Sequence, residues 1–417
     1  MPEPQVTQDN QAPVKIMFAP MSYMLSHVCR CVEIGKILRD WGHEVVFAVE
    51  DTKNPRWSSH IAEKNGFRCV RVREQDYGYI WDTFEKGGWI AVGLALLRLR
   101  DWTPLDEIFE GYVQAIEAEE PDIICGDGSI AASNAAYVKG IPAAGIMNAY
   151  AGQFGSWPSP FMPMIHAWDF LYLARLRNRV YRKYDTKPVN ALKLVKSIPM
   201  ISPDIENLYT YPKDFNWKMV GPILSEPPCE MPDWYDEIHD GKTNIYLSLG
   251  TTGMLDALLN RTYDAFSKTP YRFITTTGGQ AREETLSRAP DNFRIAKYAP
   301  GRTLLKHCSA IIFHGGNGTM YQALEAGVPM IALWNQLEQR ATGRMVKQQG
   351  FGFTFNARKV RPEPLVEALD EVVNNPKYRE NVQRFSPAVA ESRGAERSAE
   401  LLVDLAREGE PAGKELV

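Results

Sequence analysis

Residues 309–329 read SAIIFHGGNGTMYQALEAGVP. Ala310 to Phe313 make a short, wholly apolar run of the kind that fills a strand buried on both faces. Two glycines and then Asn-Gly-Thr leave that run, and a short helical stretch ends at Gly327. Glycine lets a backbone approach a ligand closely, and the start of the next helix offers unpaired N–H groups and the positive end of its dipole. Together these favour a phosphate or diphosphate, to which His314 adds a hydrogen bond or a charge. The same glycines also suit a tight strand-to-helix turn that binds nothing. The loop is not a Walker A sequence, because no lysine follows in the required place, and it is not a GxGxxG dinucleotide fingerprint.

The rest of the chain repeats the strand–loop–helix rhythm. VKIMFAP (14–20) reads as a strand, and EVVFAVE (44–50) as another. Between them Cys31, Ile34, Leu38 and Trp41 recur at helical spacing, with Gly42 as the stop. Strand, helix and strand in so short a span make a βαβ unit, hence a parallel sheet. The pattern returns at PDIICGDG (121–128), IPAAGIMNA (141–149) and NIYLSLG (244–250). It continues through YRFITTTGG, FRIAKYAP and PMIALWN to a helical C-terminal region from about Glu363 to Glu408. Asp122, just before its strand, reads as a boundary residue.

YPKDFNWKMVGPILSEPPCEMPDWYDEIHDGK (211–242) carries several prolines and little apolar periodicity, so it holds the domain junction. The expected division is a loose tail at 1–13, a Rossmann-like domain at 14–220, a linker at 221–242 and a second Rossmann-like domain at 243–390. A C-terminal helix and tail at 391–417 would pack back toward the first domain. The fold class is α/β, with two doubly wound domains facing across a cleft at the carboxyl ends of their strands.

Composition excludes several function classes. The 417 residues are 44% hydrophobic and 24% charged, which describes a globular chain of about two domains. A net charge of −4 speaks against a nucleic-acid binder acting by bulk electrostatics. The polar start MPEPQVTQDNQA lacks the features of a secretory signal, and the apolar run WIAVGLALLRLR (89–100) is too short to span a bilayer. Six scattered cysteines show no disulfide framework, so a reducing cytoplasm is expected.

A longer stretch extends the opening motif. Tyr298–Pro300 is aromatic-x-Pro, 314–319 is His-Gly-Gly-x-Gly-Thr, 327–329 is Gly-Val-Pro, 338–339 is an acidic residue and Gln, and 350–352 is Gly-x-Gly. In that order and spacing, residues 298–352 resemble the donor signature of the family 1 glycosyltransferases. LSLGTTG (247–253), ITTTGG (274–279) and VGPI (220–223) extend the resemblance over most of the chain. It implies the GT-B fold and a nucleotide-diphosphate sugar as co-substrate, with a UDP-sugar favoured and a dTDP-sugar as the alternative. On this resemblance His314 and the backbone of Gly316, Asn317, Gly318 and Thr319 hold the diphosphate. Thr252 caps it from the opposite loop, Tyr298 lies near the base, Gln322 near the ribose, and Glu338 and Gln339 at the sugar hydroxyls. Gly301 and Gln322 depart from the plant-like pattern, which has Gln and Glu there, and Glu338 replaces Asp.

The first half should then supply the acceptor site and the base. His27 follows the first strand and opens the first helix, and an imidazole titrating near pH ~6.5 accepts a hydroxyl proton at neutral pH. Family members that begin this helix with Gly-His place their general base here, and SHVCRC resembles that start with Ser26 for Gly. Asp127, in IICGDG, matches the acidic partner that holds the imidazole tautomer. Taken by themselves, His27 also suits a helix cap and Asp127 a turn. His27, Cys29 and Cys31 match no common zinc spacing, and no metal is expected.

Trp81, Phe84, Trp89, Phe154, Trp157 and Phe161 are candidates to line an apolar acceptor pocket, and each equally suits core packing. The basic helix LARLRNRVYRK (173–183) is a candidate for peripheral membrane contact or a solvated face. The reading that results is an inverting, metal-independent transferase acting on a small lipophilic or aromatic alcohol. Beside it stand a membrane-associated lipid glycosyltransferase, a UDP-sugar 2-epimerase of the same fold and a non-catalytic nucleotide-sugar-binding homologue.

Overall fold

The apolar runs spaced along the chain become two parallel sheets. In the computed structural model the described residues are 12–22, 24–50, 58–74, 103–149, 181–206, 208–209, 215–226, 229–250, 255–335 and 337–416. The first sheet contains β1 (Lys15–Pro20), β2 (Glu44–Val49), β3 (Arg68–Arg71), β4 (Ile123–Asp127), β5 (Ala143–Ile146), β6 (Pro199–Ser202) and β7 (Asn216–Met219). The second contains β8 (Asn244–Ser248), β9 (Arg272–Thr276), β10 (Phe293–Ala296), β11 (Ala310–Phe313), β12 (Met330–Trp334) and β13 (Gly352–Asn356). Their orders are β3-β2-β1-β4-β5-β6-β7 and β10-β9-β8-β11-β12-β13. In each sheet the chain starts in the middle and reverses direction once. The reversal lies between β1 and β4 in the first and between β8 and β11 in the second. A ligand crevice in a doubly wound sheet opens at the carboxyl ends of those central strands.

Alternate residues of the central strands feed two cores. Met17 and Ala19 of β1 join Phe109, Tyr112 and Val113 of helix α2 (Thr103–Glu119). Ile16 and Phe18 point the other way, to Val28, Cys31 and Leu38 of helix α1 (Leu25–Asp40). In the second sheet Ile311 and Phe313 meet one core, while Ala310 and Ile312 meet Leu258 and Leu259 of the helix Leu255–Phe266. Strands covered on both faces carry unbroken apolar sequence, which is why they stand out.

Helix α3 (Gly394–Glu408) returns to the first sheet. Ala399, Leu402, Val403 and Ala406 enter the same core as Ile16 and Phe18. The chain therefore passes between the two sheets twice, once beyond β7 and once before α3. The two passages touch: a Cβ built on Gly394 would lie 2.4 Å from the Pro222 carbonyl oxygen and 2.5 Å from that of Gly221. A side chain on Gly221, at φ +92°, would run into Ser392.

Several details differ from the sequence reading. Trp41 is the C-cap of α1 and 41% exposed instead of packing in its apolar face. NWKM, inside the stretch read as the junction, is the edge strand β7; its alternating exposure, on a strand paired on one side only, hides it from an apolar-run search. The C-terminal helical region is four helices, because prolines at 376 and 387 sit in first turns, where a missing N–H costs nothing. The aromatic stretches at 76–97 and 150–173, and most of 173–183, lie outside the described residues. Among the described residues no helix is long and apolar enough to cross a membrane.

Because α3 completes the core over α1, Leu402→Ala should lower the stability of the protein by about 2–5 kcal/mol. Leu402 is fully buried. Urea unfolding followed by tryptophan fluorescence measures the change; a midpoint that does not move would mean that α3 is only loosely attached.

Candidate active site

Asp127 is the last residue of β4, and His27 stands in the first turn of α1, just after β1. Both are therefore at the reversal point of the first sheet. His27 Nδ1 lies 2.6 Å from Asp127 Oδ1. A carboxylate can only accept, so Nδ1 carries the proton and Nε2 is left as a base. Arg30, one turn along α1, donates from Nε and Nη2 to the two oxygens of Asp127. Its Nη1 donates to Asn148 Oδ1 at 2.8 Å. Asp127 has no solvent exposure. Burial pushes its carboxyl up, but the Arg30 guanidinium and then His27 outweigh burial and hold it below the usual carboxylate value. The bidentate arginine thus keeps Asp127 ionised where burial would protonate it.

The second sheet offers its own reversal point. HGGNGT leaves β11, and Gly316 is the N-cap of helix α4, here Asn317–Glu325. Gly316 has no side chain to cap the first turn, and a Cβ on Gly318 would meet nothing within 4 Å. His314 Nδ1 lies 3.1 Å from the Ser248 carbonyl oxygen, to which it donates. Nε2 sits over Gly316, where a Cβ would come within 2.4 Å of it. With Nδ1 donating to a carbonyl, Nε2 can donate to an anion only when the ring is an imidazolium. The loop after β8 supports this ring from the other side: Gly250, at φ +72°, leaves a Cβ only 2.9 Å from the imidazole. Only glycine fits there.

The two halves meet between the first turn of α4 and the loop that follows β6. Asn317, in the first turn of α4, donates from Nδ2 to Oδ1 of Asp204 at 2.7 Å, and Asp204 follows β6 of the first sheet. The carboxyl ends of the two sheets therefore face each other, with the His27–Asp127 pair at one and the glycine loop and α4 N-terminus at the other.

The remaining residues singled out by sequence are distributed unevenly. Tyr298 follows β10, is 60% exposed, and donates to the Gly278 carbonyl at 3.2 Å, an open aromatic face beside the TTTGG turn. Gln322 points to the linker, its Nε2 donating to the Ser225 carbonyl at 3.1 Å. Gln339 is buried behind the glycine loop; its Oε1 accepts from the Asn335 N–H at 2.8 Å, and its backbone packs against Gly315. It supports the loop from behind. Thr252 and the side chain of Glu338 lie outside the described residues, as do Trp81, Phe84, Trp89, Phe154, Trp157 and Phe161. Among the described residues no group of three or more His, Cys, Asp or Glu is placed to hold a metal ion. Cys29, read as a metal candidate, has its thiol pushed up to about 11 by burial, with Glu33 adding to it.

Sequence reasoning missed Arg30, Asp204 and a carboxyl pair beside Ser22, at the ends of β2 and β3. Glu74 beyond β3 accepts from the Ser22 N–H at 2.7 Å and from the Ser22 hydroxyl, while Glu50 beyond β2 accepts from the Glu74 N–H. Burial pushes the Glu74 carboxyl up to about 8, against the Ser22 hydrogen bonds, so it is largely neutral at pH 7. The only local signal for Arg30 was its place three residues after His27, on the same helix face.

Known proteins resemble this chain in sequence and in fold. Residues 262–404 match the family described as Erythromycin biosynthesis protein CIII-like, C-terminal domain. A PGL/p-HBAD biosynthesis rhamnosyltransferase of Mycobacterium bovis is 24% identical over 402 residues, covering 91% of this chain and 85% of the relative. NDP-glycosyltransferase YjiC of Bacillus licheniformis is 26% identical over 188 residues, 45% of this chain and 48% of its own. Among solved structures the spinosyn forosaminyltransferase SpnP superposes with a TM-score of 0.72 at 19% identity, covering 95% of this chain and all of SpnP. The glycosyltransferase VinC, in complex with dTDP, gives 0.66 at 17% identity, covering 95% of this chain and all of VinC.

Arg30→Met would leave the buried Asp127 with His27 alone and should cost about 3–5 kcal/mol of stability. The acid dependence has a definite sign. Asp127 has a lower value folded than unfolded, so its contribution is complete above the unfolded value of about 3.9 and fades as pH falls toward the folded one. The stability gap between the native protein and Asp127→Asn should therefore narrow as pH drops from 7 to about 3. Denaturation curves at several pH values test this; a gap that widens in acid would contradict the ionised, arginine-held carboxylate.

Proposed function

We propose that the chain is a glycosyltransferase of the family 1 kind, an inverting enzyme acting without a metal ion, as the match of its second half, its relatives and its GT-B neighbours support. It moves a sugar from a nucleoside-diphosphate sugar to a hydroxyl of a small lipophilic or aromatic acceptor. The observation that carries this reading is that the carboxyl ends of the two sheets face each other, with the His27–Asp127 pair on one side and a helix N-terminus with His314 on the other.

The chemistry follows from the two sites. The acceptor hydroxyl gives its proton to His27 Nε2 as its oxygen forms a bond to the anomeric carbon. The bond from that carbon to the diphosphate oxygen breaks, its electron pair leaves with the diphosphate, and the configuration inverts. Asp127, kept ionised by Arg30, stabilises the imidazolium as it forms. The charge growing on the leaving diphosphate is met by the first-turn N–H groups of α4, by its dipole and by His314. This is the task a cation performs in other transferases, and the fixed dipoles supply it here.

A thymidine nucleotide is favoured over uridine by the neighbours: VinC is in complex with dTDP and the spinosyn rhamnosyltransferase SpnG is complexed with thymidine diphosphate. An aglycone-like alcohol is supported by SpnG complexed with spinosyn aglycone. Tyr298 offers its exposed ring as the surface on which the base would stack.

The experiment is a thermal-shift titration with dTDP, UDP and GDP in EDTA, followed by transfer assays with the sugar of whichever nucleotide binds. A nucleotide at 100 times its Kd should stabilise the protein by about 2.7 kcal/mol. His27→Ala should keep that shift and lose transfer by about 10²–10⁴-fold. Turnover undiminished in His27→Ala would remove the proposed base. Binding or transfer that needs a divalent cation would remove the metal-free mechanism.

A further inference from the structure

Asp204 is 1% exposed, and four donors converge on its carboxylate. Ala149 N–H reaches it at 2.5 Å, the Asn317 amide at 2.7 Å, the Tyr321 hydroxyl at 3.0 Å and the Ser202 hydroxyl at 3.2 Å. Asn317 is fixed at both ends of its amide, since its Oδ1 accepts from the Tyr209 hydroxyl at 2.8 Å. Asn317 and Tyr321 both belong to α4, whose first turn is the anion cradle. Ala149 and Ser202 belong to the first sheet's half of the molecule. Asn148, joined to Ala149 by one peptide unit, accepts from Arg30, and Arg30 holds Asp127, the partner of His27. A continuous polar run leads from the base to the phosphate loop: His27, Asp127, Arg30, Asn148, Ala149, Asp204, Asn317.

A buried carboxyl, its pKa pushed up by burial against the donors around it, is an expensive way to hold two halves together. Desolvation costs several kcal/mol, and apolar residues of similar volume often hold as well or better. Its distinguishing property is geometric, because each oxygen accepts only along defined directions and so fixes one register. We propose that Asp204 and Asn317 are a positioning pair that couples occupancy of the phosphate loop to the orientation of the His27–Asp127 dyad. This rests on the donor reading of the HGGNGT loop. When a diphosphate draws in the first-turn N–H groups, the Asn317 amide must move with its own backbone. Asp204 then carries that displacement to Ala149 and, through Asn148 and Arg30, to the dyad. The base is thereby aligned when a donor is present.

The test uses full-length protein labelled with ¹⁵N-histidine and titrated with dTDP and UDP. His27→Ala identifies the His27 ring signals among the seven histidines. Calorimetry measures nucleotide affinity in parallel. In the native protein the bound nucleotide should shift the His27 ring resonances. In Asp204→Asn the affinity should stay within about threefold and the His27 shift should disappear; in Asn317→Ala, saturated with nucleotide, the shift should disappear as well. A merely structural role would change melting temperature but leave the nucleotide-dependent shift in place. Tyr209→Phe, which removes only the second anchor of Asn317, should give a reduced shift and guards against a variant that fails to fold. The proposal is overturned if the nucleotide binds and His27 does not respond in the native protein, or responds equally in both variants. If neither nucleotide binds the native protein, the donor reading fails at the calorimeter and this coupling fails with it.

Discussion

Asp127 ends a central strand with both faces covered, and its carboxylate has no contact with water. A charge in that position must be answered by donors and by a cation, or it will take up a proton. Arg30 and His27 answer from consecutive turns of α1, so the helix can sit on β4 in only one register. The burial of this single charge fixes the helix, the imidazole tautomer and the direction of the free ring nitrogen together. It also explains the neighbouring thiols: Cys31 is pushed well up by burial, with Asp127 adding to it, and stays a neutral packing group beside the ion pair.

The opposite half solves a different problem. Its site is built from backbone, so the sequence must keep side chains away. Gly250, Gly315 and Gly316 each stand where a Cβ would strike His314 or Gln339. The loop binds by what has been removed from it, and the histidine is wedged among glycines with one nitrogen committed to a carbonyl. Base and cradle thus follow opposite rules, a crowded charge in one and a cleared space in the other.

These rules decide what could be read from sequence. Strands covered on both faces announce themselves as apolar runs, so β1, β2, β4, β8, β9, β11 and β12 were legible, as was the glycine loop whose function lies in consecutive residues. Strands β3, β7 and β13 were not, since partial exposure breaks the apolar run, and inner strand β6 was not, being only four residues long. His27 and Asp127 could be paired only through the family resemblance, because 100 residues separate them. Arg30 lay in plain view but reads as an ordinary helix arginine until the fold supplies its carboxylate. Asp204 has no local signature at all; its meaning comes from Asn317, 113 residues away in the other half. The tight glycine turn and the anion cradle, left as alternatives by the sequence, both fit the open space at Gly318, while the ring placed over Gly316 is what the proposed function draws on.

The double passage of the chain between the halves has a mechanical consequence. A single connecting segment is a swivel and permits rotation about its own axis. Here two segments run side by side, with Gly221 and Pro222 pressed against Ser392 and Gly394 at distances that leave no room for a β-carbon. Two segments held against each other resist rotation about either one alone, so the pair keeps the carboxyl ends of the two sheets in one relative orientation.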